Sequence, residues 1–310
     1  MITNEKLNRA FRIKDDEFYT QLTDIEKELV HYTALFKGKR ILCNCDNYTK
    51  SNFVRYFAEN FNTLGLQSIT AVGFTPYSHT TELVEIAEQI DNFPSAVQRR
   101  TKSIKKRILP HNGDFRNTES QYLLKTADIV ITNPPFSLFR EFIDILIAHN
   151  KCFLIIGNCN AITYQNCFSY IATDRMHLGI HCIRRFIRPD GSLSEAARSF
   201  WYTNLTAFQK NEPVALTADY SKYEYPEYDN YHAIEVNKTK RIPKDFTGVM
   251  GVPITFLEKY NPQQFHILGM DFDVHKGQLK HLSKKEWQGK TDRAYLNGKR
   301  MYARILIELR

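Results

Sequence analysis

The tetrapeptide Asn133-Pro134-Pro135-Phe136 ends a short apolar run and has the clearest chemical signature in the chain. The asparagine side chain and the proline carbonyls accept hydrogen bonds, whereas neither proline has a backbone N–H to donate. The ring of Phe136 adds an apolar surface for stacking. A stiff turn of this kind suits a planar heteroaromatic ring that carries an amino group. The alternative is a purely structural turn, because asparagine opens turns and proline ends β-ladders.

The residues before the tetrapeptide, 128–132, are predicted to form a buried strand, because the run is short, β-branched and bounded by turn signals. Helical spacing resumes over residues 138–149. The tetrapeptide therefore lies where a strand ends and a loop begins. In open α/β sheets, ligands bind at the carboxyl edge of the strands, so we expect a binding site at this turn.

Strand-like and helix-like segments alternate through the first two thirds of the chain. Further helices are predicted over residues 24–36, 51–64 and 82–90 and around Leu123-Leu124, and further strands over 41–45, 68–74 and 152–156. Thr23 or Asp24 is the predicted cap of the first helix. Apolar strands in a β-α-β alternation predict a mostly parallel sheet covered by helices on both faces, in a Rossmann-like α/β fold.

The pattern changes after Ala207. Residues 220–231 alternate tyrosine with polar residues and have no helical period. We therefore predict two regions, a larger domain over residues 1–208 and a smaller, irregular and partly β region over residues 209–310, with no internal repeat.

The composition predicts a folded protein with a basic surface. Hydrophobic residues make up 43% and aromatic residues 13% of the 310 residues, which argues against disorder. The 42 Lys and Arg residues exceed the 34 acidic residues by eight, and the sequence pI is about 9.0. A basic surface favours a polyanionic partner.

The first residues are polar, and no apolar run approaches the roughly 18 residues that span a bilayer, so we expect a cytoplasmic protein. The six cysteines are too sparse for a disulfide scaffold and form no Cys-x-x-Cys pair. A zinc site from Cys159, Cys167, His177 and His181 is conceivable, but its spacing is irregular. We expect reduced core thiols and no metal.

Several blocks of the sequence resemble those of one enzyme family. They are Asp16-Glu17-Phe18-Tyr19-Thr20, Cys43-Asn44-Cys45-Asp46, Asn112-Gly113-Asp114-Phe115-Arg116, Asn133-Pro134-Pro135-Phe136, Gly157-Asn158, Trp201-Tyr202-Thr203-Asn204-Leu205 and residues 250–257. The chain resembles the adenine-specific DNA methyltransferases of restriction and modification systems, and is most similar to the branch of the EcoRI modification methylase. The likeness covers nearly the whole chain.

The resemblance implies methyl transfer from S-adenosylmethionine to the exocyclic N6 of a flipped adenine in double-stranded DNA, in restriction–modification or phage DNA protection. It also implies a catalytic and cofactor-binding domain over 1–208, a target-recognition region over 209–310, and a monomer without an obligate protein partner, in a bacterial cell or phage-infected host. Two alternatives remain open. One is an RNA or protein amino-methyltransferase, since some of these carry a similar Asn-Pro-Pro-aromatic turn, and the other is an inactive DNA-binding homologue.

The resemblance also implies roles for individual residues. The implied catalytic residues are Asn133, Pro134, Pro135 and Phe136, and the implied cofactor contacts are Tyr19, Thr20, Asn44, Cys45, Asp46, Asp114, Phe115 and Asn133. The loop over residues 45–49 departs from the usual pattern, since it has no glycine where nucleotide-type cofactors commonly meet a glycine-rich turn. For this loop the alternative is a cap on the next helix, for Asp114 a Gly-Asp turn, and for Tyr19 and Thr20 a helix start capped by Thr20 or Thr23.

The implied substrate contacts are more widely spread. They are Phe136, Trp201, Tyr202, Asn204, Arg99, Arg100, Lys102, Lys105 and Lys106. Phe136 would stack on the flipped base, with Trp201 or Tyr202 as the opposite wall; ordinary core aromatics are the alternative. The basic run over residues 99–107 would neutralise phosphates, with a solvated basic loop as the alternative. Sequence readout is expected in the carboxy-terminal third, where Lys238, Lys240, Arg241 and Lys244 accompany the tyrosines.

Overall fold

The computed structural model describes residues 19–75, 78–91, 99–188, 190–194, 198–206, 213–275 and 277–310. The chain forms two compact units. The first comprises Met1–Ala161 and Met176–Ala207, and the second comprises Ile162–Arg175 and Phe208–Arg310. The boundary predicted at residues 208 and 209 lies outside the described residues and stays a prediction, as does the block Asp16-Glu17-Phe18.

The first unit is built on an eight-stranded sheet. A two-residue strand, β1 (Tyr19–Thr20), precedes the strands β2 (Arg40–Cys43), β3 (Ser68–Val72), β4 (Thr81–Asp91), β5 (Arg99–Leu109), β6 (Ile129–Thr132), β7 (Cys152–Asn158), β8 (His177–Ile183), β9 (Phe186–Ile187), β10 (Leu193–Ser194) and β11 (Ser199–Thr203). The large sheet has the order β5-β4-β3-β2-β6-β7-β11-β8, and a small sheet has the order β1-β9-β10.

Four helices of this unit lie at predicted positions. They are α1 (Leu22–Leu29), α2 (Asn52–Glu59), α3 (Thr118–Thr126) and α4 (Phe139–Ala148), with 3-10 turns at Val30–Leu35 and Phe136–Leu138 and the beginning of a third at Cys159–Thr163. Gln21 precedes α1, so the predicted cap at Thr23 or Asp24 is wrong. Ser51 caps α2, because its hydroxyl oxygen accepts the backbone N–H groups of Phe53 and Val54 at 3.1 and 3.4 Å.

The sheet is parallel only at its centre. The strands β3, β2, β6 and β7 are parallel neighbours, whereas β4, β5, β11 and β8 pair antiparallel. The prediction of a mostly parallel sheet is therefore wrong at both sides. Residues 73–80, which join β3 to β4, are fewer than the dozen or so residues that a parallel crossover needs, so the chain turns back as an antiparallel strand.

The helix predicted over residues 82–90 is also wrong, because this segment is strand β4. Val84 and Ile86 are buried, at 1% and 3% exposure, with Glu85 between them on the other face. The apolar positions fit both periods, and pairing with β3 on one side and β5 on the other satisfies the backbone. Tertiary pairing therefore decides the structure of this segment.

The core of the first unit holds α1 and α2 against the sheet. Leu29, Phe53 and Phe57 are fully buried in one apolar cluster with strand residues such as Ile131. The buried carboxylate of Glu28 fastens α1 to β8, because it accepts the backbone N–H groups of Ile180 and His181 at 2.8 Å. These contacts hold α1 and α2 on the sheet whose carboxyl edge carries the loops of the candidate site.

The second unit is irregular and partly β, as predicted. It contains α5 (Gln165–Ala172), the strands β12 (Ile234–Glu235), β13 (Met250–Pro253), β14 (Phe265–Met270), β15 (Tyr295–Leu296), β16 (Lys299–Arg300) and β17 (Arg304–Leu309), and 3-10 turns at Thr239–Arg241, Ile254–Lys259, Asp271–Asp273 and Gly277–Leu282. One sheet has the order β12-β13-β17-β14. Among the helices of the described ranges, none is both long and apolar enough to cross a membrane.

A buried ion pair joins two strands of the second unit. The guanidinium of Arg304 donates to both carboxylate oxygens of Glu235, at 2.8 and 3.0 Å, and the hydroxyl of Tyr228 donates to the same carboxylate. The side chains of Arg304 and Glu235 are only 9% and 7% exposed. Removing the cation would leave a buried carboxylate without its charge partner.

We predict that Arg304→Met lowers the free energy of unfolding by about 3–5 kcal/mol, the usual result of removing one partner of a buried pair. Urea unfolding followed by circular dichroism measures the change. The matched control is Arg300→Met, since Arg300 forms an ion pair with Asp292 in which both side chains are about half exposed. That control should change stability by less than about 1 kcal/mol. Equal effects of the two substitutions would contradict the role given to the buried pair.

Candidate active site

The predicted site residues from two separate blocks meet at the carboxyl edge of the central strands. β2 and β6 are parallel neighbours, with Ile41 paired to Ile129 and Leu42 paired to Val130. The chain therefore leaves both strands at the same edge, with Asp46 just beyond β2 and Asn133 just beyond β6. The sequence order alone separates these two residues by 87 positions.

The carboxylate of Asp46 is the centre of this arrangement. One oxygen accepts the Ser51 hydroxyl at 2.6 Å, and the other accepts the Thr132 hydroxyl at 2.5 Å. The backbone N–H of Asn133 also donates to this carboxylate. Asp46 therefore connects the end of β2, the start of α2 and the turn that follows β6.

Burial affects the titration of this group. Desolvation raises the pKa of Asp46 to about 6, against the hydrogen bonds from Ser51, Thr132 and the Asn133 backbone, which lower it. Burial also raises the pKa of the Cys43 and Cys45 thiols, with the charge of Asp46 adding to the effect. At neutral pH the Asp46 carboxylate is therefore ionised while both neighbouring thiols keep their protons.

The glycine-free loop after β2 separates into two kinds of residue. Both oxygens of Asp46 bind protein groups, which favours the alternative of a loop tied to the next helix, because Ser51 is the cap of α2. Asn44 differs, since it is only 3% exposed and its Oδ1 atom has no hydrogen-bond partner among the described residues. An unpaired polar atom at a buried position is costly unless a ligand or water completes it.

Thr20 lies close to this loop and has the same property. The side-chain amide of Asn52, at the start of α2, donates to the Thr20 carbonyl at 2.8 Å. The Thr20 hydroxyl is buried and has no partner within the described part of the chain. Tyr19 and Thr20 form β1 and do not cap a helix, so that alternative is wrong. The ammonium of Lys50 lies 6.0 Å from the centre of the Tyr19 ring.

Asp114 reaches the same edge of the sheet through a glycine contact. Gly113 has a φ of +81°, and a Cβ atom there would lie 2.0 Å from the carbonyl oxygen of Gly73, just beyond β3. The guanidinium of Arg116 clamps the Asp114 carboxylate at 2.6–3.2 Å. Burial raises the pKa of Asp114, but the hydrogen bonds and charge of Arg116 more than offset this and leave the pKa below its usual value. Asp114 is therefore ionised.

The rings of the two candidate stacking residues differ in exposure. Phe115 is only 3% exposed, and its ring centre lies 4.8 Å from that of Phe142 in α4. Phe136 opens the 3-10 turn after the tetrapeptide and is half-buried, with its ring edge-on to Phe186 at 5.9 Å. Phe186 pairs with Thr20 in the small sheet, so Phe136 lies near β1.

Trp201 and Tyr202 are both fully buried in β11. The ring of Trp201 packs edge-on against Phe53 at 5.8 Å in the main core. The hydroxyl of Tyr202 donates to the Asn158 carbonyl at 2.9 Å, and its ring packs on Phe139. This burial favours the alternative of ordinary core aromatics over a wall for a bound ring.

Asn204 is placed away from the tetrapeptide. Its side chain accepts the Phe153 N–H at 2.9 Å and donates to the Lys151 carbonyl at 2.8 Å. These two residues lie at the start of β7, which pairs with the start of β6. The substrate contact expected of Asn204 stays a prediction, and its amide is hydrogen-bonded at the edge of the sheet opposite the tetrapeptide.

The basic run over residues 99–107 is part of the edge strand β5, so the predicted alternative of a loop is wrong. Its register with β4 places Glu88 opposite Lys102 and Glu85 opposite Lys105. Cross-strand neighbours of opposite charge attract one another, so much of the positive charge has a local counter-charge.

Three cations of the basic run also make contacts with other protein groups. Lys102 donates to the Ala58 carbonyl at 2.7 Å, Lys106 lies 3.7 Å from a carboxylate oxygen of Glu82, and Arg107 forms an ion pair with Glu119. Lys105, Lys106 and Arg107 are nearest the carboxyl edge, since Leu109 pairs with Thr81 there. The backbones of Arg99 and Arg100 lie at the far end of β5, and their side chains lie outside the described residues.

Two residues that complete the site were missed from the sequence. The sequence pattern indicates only a strand position for Thr132 and only a helix start for Ser51. A serine before a helical run is a recognisable cap, so Ser51 could have been found from the pattern. The role of Thr132 depends on which strand lies beside β6, and local spacing does not encode that.

Comparisons with known proteins agree with one family over the whole chain. The family described as adenine-specific methyltransferase EcoRI matches residues 6–310. The type II methyltransferase M.EcoRI of Escherichia coli is 40% identical over 330 residues, which cover 99% of this chain and 97% of that protein. M.MgeORF184P of Mycoplasma genitalium is 36% identical, over 97% of this chain and 98% of its own length. M.MpnI of Mycoplasma pneumoniae is 35% identical, over 98% of each. No solved structure matches the chain.

We predict that Gly113→Ala destabilises the fold by about 1–3 kcal/mol more than Gly38→Ala does, as measured by urea unfolding. Both glycines have positive φ, which strains any L side chain, but an added Cβ at Gly38 meets nothing within 4 Å. The difference therefore isolates the close approach to Gly73. If the two variants lose equal stability, the loop of Asp114 is not held by this contact.

Proposed function

The chain belongs to the EcoRI family of adenine-specific methyltransferases, and from that premise we propose that it transfers a methyl group from S-adenosylmethionine to the exocyclic N6 of an adenine flipped out of double-stranded DNA. It is an adenine-specific type II DNA methyltransferase, and a role in restriction and modification fits. The proposal goes further in naming the cofactor, the state of the target base and the residues that act on it.

One observation carries the proposal, namely that Asn133 is held at the carboxyl edge of the sheet by the Asp46 carboxylate. This edge is where open α/β sheets bind ligands. The turn supplies the Asn133 side-chain oxygen and the Pro134 carbonyl as acceptors, and its prolines have no N–H to compete with them. The turn is therefore selective for a group that donates two hydrogen bonds.

The residues around the turn fit S-adenosylmethionine. The oxygens of Asn44 and Thr20, which are buried and have no hydrogen-bond partner among the described residues, suit the polar amino-acid portion of the cofactor, with Tyr19 and Cys45 beside them. The ionised Asp114 suits an adenine amino group, with Phe115 next to it. When bound, the cofactor supplies a methyl group on a positively charged sulfur. Asp46 is left out of this set, because its oxygens bind protein donors.

The chain's own contribution to the chemistry is electrostatic. The lone pair of the adenine N6 is delocalised into the ring, so the free amine is a poor nucleophile. If Asn133 and Pro134 each accept one N–H, the amine is drawn toward a tetrahedral geometry. The same acceptors stabilise the positive charge that develops on nitrogen during transfer. This scheme needs no strong base beside the tetrapeptide.

The target adenine must leave the duplex to reach this turn. Extrusion costs a few kcal/mol for unstacking and unpairing. The half-buried ring of Phe136 offers a stacking surface, and such stacking is worth about 1–3 kcal/mol per base. The two quantities are comparable, so Phe136 offsets much of the cost.

The register of β5 supports a choice among the predicted phosphate contacts. Lys105 and Lys106 are the cations of the predicted set that lie toward the edge where Asn133 is found. Arg99, Arg100 and Lys102 lie toward the other edge. We therefore place Lys105 and Lys106 first among the phosphate contacts, each weakened by its acidic neighbour on β4.

The fold and the carboxy-terminal region also have roles in the proposed function. The four central parallel strands with α1 to α4 support a Rossmann-like cofactor-binding fold. The region from residue 209 to 310 would read the target sequence, with exposed Lys238 and Lys240 among its cations. Arg241 and Lys244 are already paired with Glu224 and Asp219. A monomer is sufficient for this scheme.

Incubation with labelled S-adenosylmethionine and either DNA, RNA or protein tests the substrate and separates the alternatives. Label is expected in DNA alone, at adenine N6. Label in RNA or protein instead would overturn the proposal. Absence of cofactor binding in calorimetry would favour an inactive DNA-binding homologue.

We predict that Asn133→Ala abolishes methyl transfer while DNA binding stays largely intact, because the acceptor acts mainly in the transition state. Single-turnover transfer and a DNA-binding titration measure the two effects. The exposed Asn62 provides the matched control, since Asn62→Ala should leave both unchanged. Transfer within about tenfold of the parent would rule out this mechanism, because loss of one preorganised polar group usually costs at least a hundredfold.

We also predict that Phe136→Ala weakens capture of the flipped base more than cofactor binding. The fluorescence of 2-aminopurine at the target position reports flipping, and calorimetry reports the cofactor Kd. A larger loss of cofactor affinity than of flipping would contradict the placement of Phe136 against the base.

A further inference from the structure

We propose that Asp46 is a positioning residue for methyl transfer, whose carboxylate holds the backbone of Asn133 so that the acceptors of the turn face the target amine. This inference rests on the proposed function, since it assumes that Asn133 acts on the amine. It replaces the cofactor contact that the family resemblance implies for Asp46.

The geometry supports this role through the convergence of donors. The hydroxyls of Ser51 and Thr132 and the N–H of Asn133 all donate to one carboxylate that is 7% exposed. An ionised carboxylate has about four lone-pair sites and donates nothing, so it accepts all of these groups at once.

The positions of the donors explain how the carboxylate holds the turn. Thr132 and Asn133 are consecutive, so Asp46 is hydrogen-bonded to the last residue of β6 and to the first residue of the turn. Ser51 caps α2, which fixes the other side of the carboxylate to a helix. Hydrogen bonds to an ionised group are stronger than neutral ones, so the turn is held before substrate arrives.

The pKa of Asp46 is about 6, and the pKa values of the titratable groups that face it are shifted away from this range. Cys43 and Cys45 lie on its own strand end, and burial raises the pKa of both thiols. Asp114 acts on Cys45, and its own pKa is lowered. The partners on β6 and α2 are a threonine, a backbone amide and a serine, none of which titrates in this range.

Asp46→Asn separates positioning from cofactor binding. The amide keeps the shape but loses the charge and one acceptor atom, so the turn is expected to lose its fixed orientation. We expect the single-turnover transfer rate at saturating cofactor and DNA to fall by about ten- to a hundredfold, the range for small misplacements. The Kd for S-adenosylmethionine in calorimetry should stay within about twofold, since Asp46 makes no cofactor contact in this account. Asp128→Asn is the control, because Asp128 pairs with Arg40 at the start of β6 and should leave the rate unchanged.

The pH profile supplies a readout that a purely structural role would not move. Protonation of Asp46 removes an acceptor, so the transfer rate of the parent should fall below about pH 6. This acid limb should be absent in Asp46→Asn. In Thr132→Val it should move to higher pH, because the Thr132 hydroxyl lowers the pKa of Asp46. The second variant tests the inference even if the first does not fold.

Three results would overturn the inference. They are a rise of tenfold or so in the cofactor Kd of Asp46→Asn with an unchanged saturated rate, an acid limb that persists in that variant, and an acid limb that does not move in Thr132→Val. Failure of the proposed function is distinguishable, because it is seen as retained transfer in Asn133→Ala.

Discussion

A buried carboxylate with donors from three segments is the constraint on which this site depends. Asp46 is ionised at neutral pH although burial disfavours its charge, because hydroxyls and an amide converge on it. A buried charge is tolerated only when its hydrogen bonds are satisfied. These hydrogen bonds therefore fix the positions of three segments relative to one another, namely the loop after β2, the loop after β6 and the start of α2. The candidate acceptors of Asn133 and Pro134 take their position from that arrangement.

The same constraint explains how the first loop works without glycine. In many nucleotide-binding folds, glycine lets the backbone approach the ligand after the first strand. Here the Asp46 carboxylate accepts hydrogen bonds from the protein, while the buried Asn44 oxygen has no partner in the part of the chain that the structure describes. Close backbone approach occurs elsewhere, where Gly113 meets the Gly73 carbonyl and brings Asp114 to the edge of β3. Two features thus take the place of one glycine-rich turn. Asp46 holds the loop after β2 by hydrogen bonds, and the contact between Gly113 and Gly73 allows the close backbone approach.

Local patterns in the sequence predicted much of the fold and part of the site. The helices at α1, α2 and α4 and the buried strands β2, β3, β6 and β7 follow from apolar spacing and from stops at Gly38 and Gly65, both with positive φ. The helix predicted over residues 82–90 is wrong because the apolar residues there fit both a helical and a strand period, and only pairing with β3 and β5 decides between them. The acidic partners of the basic run over residues 99–107 are not predictable from the sequence, because the register that places Glu85 opposite Lys105 depends on a hairpin that local spacing does not reveal. The contact between Asp46 and Thr132 is also not predictable from local spacing, since it requires β2 and β6 to be neighbours.

A crystal structure with a DNA duplex that contains the target site and a non-reactive cofactor analogue tests the central claim most directly. The account predicts an extrahelical adenine whose N6 lies within about 3 Å of the Asn133 side-chain oxygen and the Pro134 carbonyl. It also predicts that the Asp46 carboxylate still accepts Ser51, Thr132 and the Asn133 N–H. An Asp46 carboxylate turned to the analogue, or an adenine N6 away from both acceptors, would contradict it.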